Sequence, residues 1–383
     1  RSIWVTGVQT CALPISVEWI AGDLALTVTA FATGPSDRSS VVVRYRVSNR
    51  GATPLSPRLD LAMRPFQVNP PWQFLNTPGG TTRVDSVHWS AGSLWVNGDR
   101  RVVPLVTPSA VGASTFDGGE IVQHLRRGRV PRAPAVRDAF GAASAVLEFQ
   151  LTIPAGDSAE VAIELPLVAG AGPQLKRGVP VAQALSATAT AWRQALSGSD
   201  IALPPSGDHL ARTIRSTRAW ILINRDGPAL QPGSRSYERS WIRDGALTSA
   251  ALLRFGHAAT VRSFIEWYAG YQYPNGKVPC CVDARGADPV PEHDSHGEFI
   301  YLVMEYWRHT RDDSLLKEMW PRVRLAVAYL DSLRQTRRTP EFASGDNQRF
   351  FGLLPPSISH EGYSAKPTIW RSEERRVGKE CRS

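Results

Sequence analysis

The feature that most restricts this 383-residue chain is a change of hydrophobic period part-way along it. From Val17 to about Leu167 apolar residues come in short alternating runs. Leu24, Leu26 and Val28 alternate with Ala25, Thr27 and Thr29, and Val41 to Val47, Ser93 to Val96, Val146 to Ile153 and Val161 to Leu165 behave alike. Successive side chains of a strand point to opposite faces, so these runs predict half-buried strands. Asn97-Gly98, between Trp95 and Val102, supplies the positive φ angles of a tight hairpin. Together they predict an antiparallel β-sandwich over residues 17–170.

Pro and Gly residues between Ala169 and Pro180 end that pattern, and Val181 to Leu196 predicts a connector helix within a linker spanning 171–205. Beyond Asp208 the spacing is helical. Leu210, Ile214 and Ile221 mark one helix, Leu247, Ala251 and Leu252 the next, and Val261, Phe264, Ile265 and Tyr268 a third. Phe299 to Trp307 and Leu316 to Leu333 complete a helical domain over 206–368. A short connection (Phe255 to Ala258) and a long one (Gln272 to Asp294) suit helical hairpins whose long loops gather at one end to build a site.

The two ends read differently. Val5 to Ile15 is the in-frame translation of a common short-read library adapter, and Arg371 to Ser383 that of its counterpart, so residues 1–16 and 369–383 are expected to be adapter-derived. Of four cysteines, this leaves the adjacent pair Cys280 and Cys281, too few for a disulfide framework. The ends hold six basic and three acidic residues, so about +6 of the formal +9 lies between them. Those Arg residues are scattered, and nucleic acid is not an expected partner. No run of about 18 apolar residues predicts a membrane span.

Chemistry concentrates in Tyr237-Glu238-Arg239-Ser240-Trp241-Ile242-Arg243-Asp244-Gly245-Ala246-Leu247. A sugar offers hydroxyls to bidentate groups and an apolar face to an aromatic ring. Trp241 is thus placed to stack, and Arg243 and Asp244 to hold hydroxyls. The same residues also suit a plain helix start, with Asp244 as N-cap and Arg243 as its surface partner. Further on, His293-Asp294-Ser295-His296-Gly297-Glu298 opens another helix. Ser295 and Glu298 have capping-box spacing, while His293, His296 and Asp294 lack the distant third ligand that a metal site needs. No metal and no cofactor is expected. Cys280 and Cys281 are read as buried structural groups. In the long loop Tyr271, Tyr273, Asn275 and Lys277 are candidate sugar-facing residues, Lys277 chief among them.

The Trp-x-Arg-Asp-x-Ala-Leu pattern resembles the first site motif of glucoamylase-type and glycogen-debranching-like six-hairpin glycosidases. Glu305 to Asp313, followed by Leu315-Leu316 and Met319-Trp320-Pro321, is similar to a hairpin connection of bacterial members, in which Asp312 or Asp313 caps the next helix. The resemblance covers roughly Asp208 to Lys366. It implies a partial (α/α)6 toroid behind the sandwich and a glycoside hydrolase acting, with inversion, on α-linked glucosides or oligosaccharides. Arg243 and Asp244 would grip the sugar before the cleaved bond, and Asp294 would contact substrate. Glycoside hydrolysis needs two carboxylates. Glu361 and Asp294 are the best candidates present, and the general acid is expected beyond Lys366, leaving this fragment inactive. The alternatives are a phosphorylase of the same fold and a non-catalytic glycan-binding protein.

Overall fold

The computed structural model describes residues 14–35, 38–69, 80–168, 170–175, 180–197, 201–233 and 237–358. The adapter-like ends, apart from residues 14–16, and Glu361 lie outside the described residues. The chain forms two compact units, Arg1–Ala195 and Leu196–Ser383.

The first unit holds β1 (Ile15–Ala21), β2 (Leu24–Thr33), β3 (Ser40–Asn49), β4 (Arg58–Met63), β5 (Gln67–Asn69), β6 (Gly80–Thr81), β7 (Ser86–Ser90), β8 (Ser93–Val96), β9 (Arg100–Pro104) and β10 (Ala110–Ser114). After α1 (Ile121–Arg126) come β11 (Ala135–Arg137), β12 (Ser144–Gln150), β13 (Ser158–Pro166) and α2 (Val181–Ala195). One sheet runs β1-β2-β3-β13-β9-β8-β7-β11 and a second β10-β12-β4. Val87, Leu94 and Val161 of the first and Ala113, Ala145, Leu147 and Phe149 of the second share one buried cluster. Two antiparallel sheets therefore face each other across a common core, as the period-two runs require. Asn97 and Gly98 adopt φ 51° and 86° and turn β8 into β9. On β2 the fully buried positions are Ala25, Thr29 and Phe31, with Leu24, Leu26 and Val28 half-buried. The helix α2 packs on β2, where Thr188 donates to the carbonyl of Ala32 at 3.3 Å, so both faces of that strand are covered.

The second unit is mainly helical: α3 (Asp208–Ile223), β14 (Arg225–Asp226), β15 (Ala229–Leu230), β16 (Ser240–Trp241), α4 (Ile242–Arg254), α5 (Ala258–Ala269), β17 (Cys281–Asp283), β18 (Gly286–Ala287), α6 (Ser295–Thr310), α7 (Asp313–Gln335) and α8 (Pro340–Ala343). Its core joins Ile242, Ala246 and Leu252 of α4 to Phe264 and Tyr268 of α5, Phe299 and Leu302 of α6, and Leu315 and Met319 of α7. The expected buried stripe of α4 holds at Leu252 and is corrected at Leu247. Leu247 is 59% exposed, and the inward face is Gly245, Ala246, Ser249, Ala250, Leu252 and Leu253. Small residues occupy that face because α5 lies close: a methyl group on Gly245 would overlap the Phe264 ring. The connection into α7 forms as expected, with the Asp312 carboxylate accepting from Leu315 N at 3.1 Å. Among the described residues no helix is long and apolar enough to cross a membrane.

Candidate functional site

A small sheet sets the start of α4. Its strand β16 pairs with β17, Ser240 facing Val282 and Trp241 facing Cys281, and Ile242 N then donates to the carbonyl of Cys280 at 3.0 Å. The first helical turn therefore begins at Ile242 with Trp241 as its boundary residue, and Asp244 lies inside that turn. The alternative reading of Asp244 as N-cap is thereby corrected, because the strand pairing sets the helix boundary three residues earlier, at Trp241. A carboxylate inside a first turn still gains from the helix dipole.

The corresponding end of α6 lies alongside. Arg243 Nη1 donates to Asp294 Oδ2 at 2.8 Å and stands 3.9 Å from Glu292 Oε2. Arg243 and Asp244 are half-buried, whereas Asp294, Glu292 and Glu298 are covered or nearly so. Burial pushes the Asp294 carboxyl up, opposed by Arg243 and reinforced by Glu292. Its second oxygen, Oδ1, is buried and has no hydrogen-bond partner among the described residues. Such a group costs about 1–3 kcal/mol unless something donates to it.

Glu298 is not a cap. Asp294 bounds α6, no side chain caps that end, and Glu298 is buried near Asp294, Arg243 and Asp244. Burial, the neighbouring Asp294 and then Asp244 raise its pKa to about 7, with Arg243 opposing. Asp294 and Glu298 stand one helical turn apart and so share a face. That spacing was the available signal for Glu298; Glu292 carried none.

Trp241 occupies a different place from the one its stacking role requires. It is 5% exposed, packed on Cys280, Cys281 and Val290, and the Arg239 guanidinium covers its ring at 5.3 Å. The open aromatic nearby is Tyr237, 51% exposed and tilted against Trp241 at 6.3 Å between centroids. Arg239 is itself held by two carboxylates, donating to Asp288 Oδ2 at 2.7 Å and lying 2.9 Å from Asp283, out of line for a hydrogen bond through Nε.

In the long loop Lys277 donates its ammonium to the carbonyl of Pro289 and sits over the Tyr273 ring. The Tyr273 hydroxyl donates to Ala287 O at 3.2 Å, Asn275 accepts from Lys277 N at 3.1 Å, and Tyr271 packs on Trp267. Tyr271 thus packs on α5, and the other contacts close the loop on itself. The two cysteines are buried thiols, not joined as a disulfide, with their sulfurs 3.3 Å apart. With Asp288 they bring three potential metal-ligating atoms within 4.8 Å of one another. Asp288 is already engaged, however, by Arg239 at Oδ2 and by Val290 N at Oδ1, so a cation there would have to displace Arg239.

No protein-family model matches this chain, and no curated protein does. Among solved structures it is similar to a candidate kojibiose phosphorylase from the human microbiome, with 8% identity and a TM-score of 0.43 over 81% of this chain and 43% of that one. It is also similar to a polysaccharide lyase, with 12% identity and a TM-score of 0.24 over 81% of this chain and 57% of the other. The chain thus spans less than two thirds of either. At such scores neither likeness decides the fold or the activity.

Proposed function

We propose that the paired ends of α4 and α6 form a sugar-binding site in which Arg243, Asp244 and Asp294 hold hydroxyls. The intact protein would then be a glycoside hydrolase of the α/α-toroid type acting on α-linked glucosides or oligosaccharides. The observation that carries this reading is the unpartnered Asp294 Oδ1, buried beside a half-open Arg243 and Asp244. A sugar hydroxyl donates to such an oxygen, while vicinal hydroxyls accept from a guanidinium. The Trp-x-Arg-Asp-x-Ala-Leu pattern supports it from the sequence side. Trp241 is covered, and Tyr237 offers the exposed ring. The catalytic carboxylates, Glu361 among the candidates, and inversion belong to the same proposal.

Binding is the property this chain should retain. Asp294→Asn keeps the shape of the side chain but weakens its hold on Arg243 and its acceptor strength. Titration calorimetry with maltose should show about a tenfold loss of affinity, one charge-assisted hydrogen bond's worth. Unchanged affinity in a folded variant would remove Asp294 from the site.

A further inference from the structure

Cys280 and Cys281 are neighbours in sequence whose sulfurs are also neighbours in space. Successive residues of a strand point to opposite faces, which would part the two side chains. Here they converge to 3.3 Å, because Cys280 precedes β17 and only Cys281 belongs to it. Cys281 Sγ donates to Asp288 Oδ2 at 3.9 Å, so the proton lying between the two sulfurs is that of Cys280. Both thiols are buried, but only one side chain deep: Val290, which packs on them, is half-buried, and the Asp288 side chain is 18% exposed. The backbone at the pair sets the start of α4. The carbonyl between the two residues, that of Cys280, accepts from Ile242 N at 3.0 Å, Cys281 pairs with Trp241, and the Cys281 carbonyl accepts from Asp288 N at 2.9 Å.

Asp288 is engaged by Arg239 and by Val290 N, which disfavours a cation as third partner and leaves each sulfur to react with the other. We propose that Cys280 and Cys281 are a redox switch, closed to a disulfide by a hydroperoxide, that releases the first turn of α4. Cys281 loses its proton along its bond to Asp288, and the thiolate attacks one peroxide oxygen. The O–O bond breaks, and the displaced hydroxide takes up that proton as water. The Cys280 sulfur then attacks the sulfenic acid so formed, and the S–O bond breaks. Its proton leaves with the hydroxide as a second water, so two electrons pass from the sulfurs to the peroxide. Adjacent Cα atoms stand about 3.8 Å apart across a trans peptide, whereas a disulfide spans about 4.4–6.8 Å, so the closed ring must twist the one peptide unit it contains. That unit carries the carbonyl that anchors Ile242. Arg243 follows directly, so closure moves the residue through which α4 reaches Asp294. A thiol reductant reverses the step by exchange. The switch does not depend on whether the site takes a sugar.

The test uses the full chain carrying Cys11→Ser and Cys381→Ser, which leaves the pair as its only thiols. The reduced protein is exposed to hydrogen peroxide and followed by mass spectrometry with peptide mapping and by amide hydrogen exchange. Peroxide should remove two hydrogens from the peptide that holds the pair, and dithiothreitol should restore them. In the oxidised form the Ile242 amide should exchange about tenfold faster, one backbone hydrogen bond's worth. The Val323 amide in α7 should keep its rate, which separates a local release from general unfolding. In Cys280→Ser, peroxide should leave Ile242 exchange unchanged. No change of mass at the pair, or added oxygen on either cysteine without the bridge, would overturn the proposal. So would a bridge that leaves Ile242 exchange unaltered, a bridge that speeds Val323 equally, or a peroxide response of Ile242 that persists in Cys280→Ser. All but the last of these are read without a variant of the pair, so they hold even if that variant fails to fold.

Discussion

At the scale of single residues, the site is governed by how carboxylates share one arginine. Three acidic groups, Asp294, Glu292 and Glu298, crowd Arg243, and Asp294 accepts from it at 2.8 Å. Glu298 yields by holding its proton to a pKa of about 7. The sign of the resulting pH dependence follows. A carboxyl raised on folding binds a proton in the folded state where the unfolded chain has released it, so its contribution is complete below about 4.5 and is lost as pH rises through about 7. Glu298→Gln removes that dependence. Urea unfolding at pH 5 and pH 8 should show the unaltered chain losing about 2–3 kcal/mol more than the variant over this window. An identical pH profile for both proteins would mean that Glu298 is ionised and solvated. This residue also shows where sequence reading stops. Its spacing from Ser295 fits a capping box and its spacing from Asp294 fits a shared helix face, and only the tertiary neighbours Arg243 and Asp244 decide between them. Trp241 was legible as part of a motif but not as covered, because the Arg239 guanidinium above it comes from the same strand segment yet is fixed by Asp283 and Asp288, more than forty positions later.

At the scale of elements, the helices were legible and their inward faces less so. The spacing of Leu247, Ala251 and Leu252 placed a helix correctly and Leu252 on its buried face, but it misplaced Leu247, since between Ile242 and Leu252 the contact face of α4 is built from Gly245, Ala246, Ser249 and Ala250, which carry little hydrophobic signal. Gly245 is the clearest of them. In sequence it reads as part of a ligand motif; in the structure it admits the Phe264 ring. Gly245→Ala should therefore destabilise the chain by about 1–3 kcal/mol through overpacking, although alanine is the better helix former. Urea denaturation would reveal this as a lowered midpoint at constant slope. An unchanged or raised midpoint would show that α4 and α5 have room to spare. The hairpin at Asn97-Gly98 was fully legible and the cap at Asp312 legible to within one residue of Asp313, because both are local and need no distant partner.

At the scale of the whole molecule, the change of period located the passage from paired sheets to packed helices, because periodicity records which faces are buried. What it could not supply was the meeting of the starts of α4 and α6, which joins Arg243 to Asp294 across about fifty residues of chain and makes one site from two motifs. The central claim is that this junction exists to bind a sugar. Calorimetric titration with maltose, run beside thermal unfolding on the unaltered chain and on Asp244→Ala, tests it most directly. The account predicts saturable binding by the unaltered chain and at least a tenfold loss in the variant, with the unfolding midpoint shifted by no more than about 2 °C. Absence of binding by the unaltered chain, or a variant that loses its fold along with its affinity, would contradict it and leave Arg243 and Asp244 as the scaffold of a helix start.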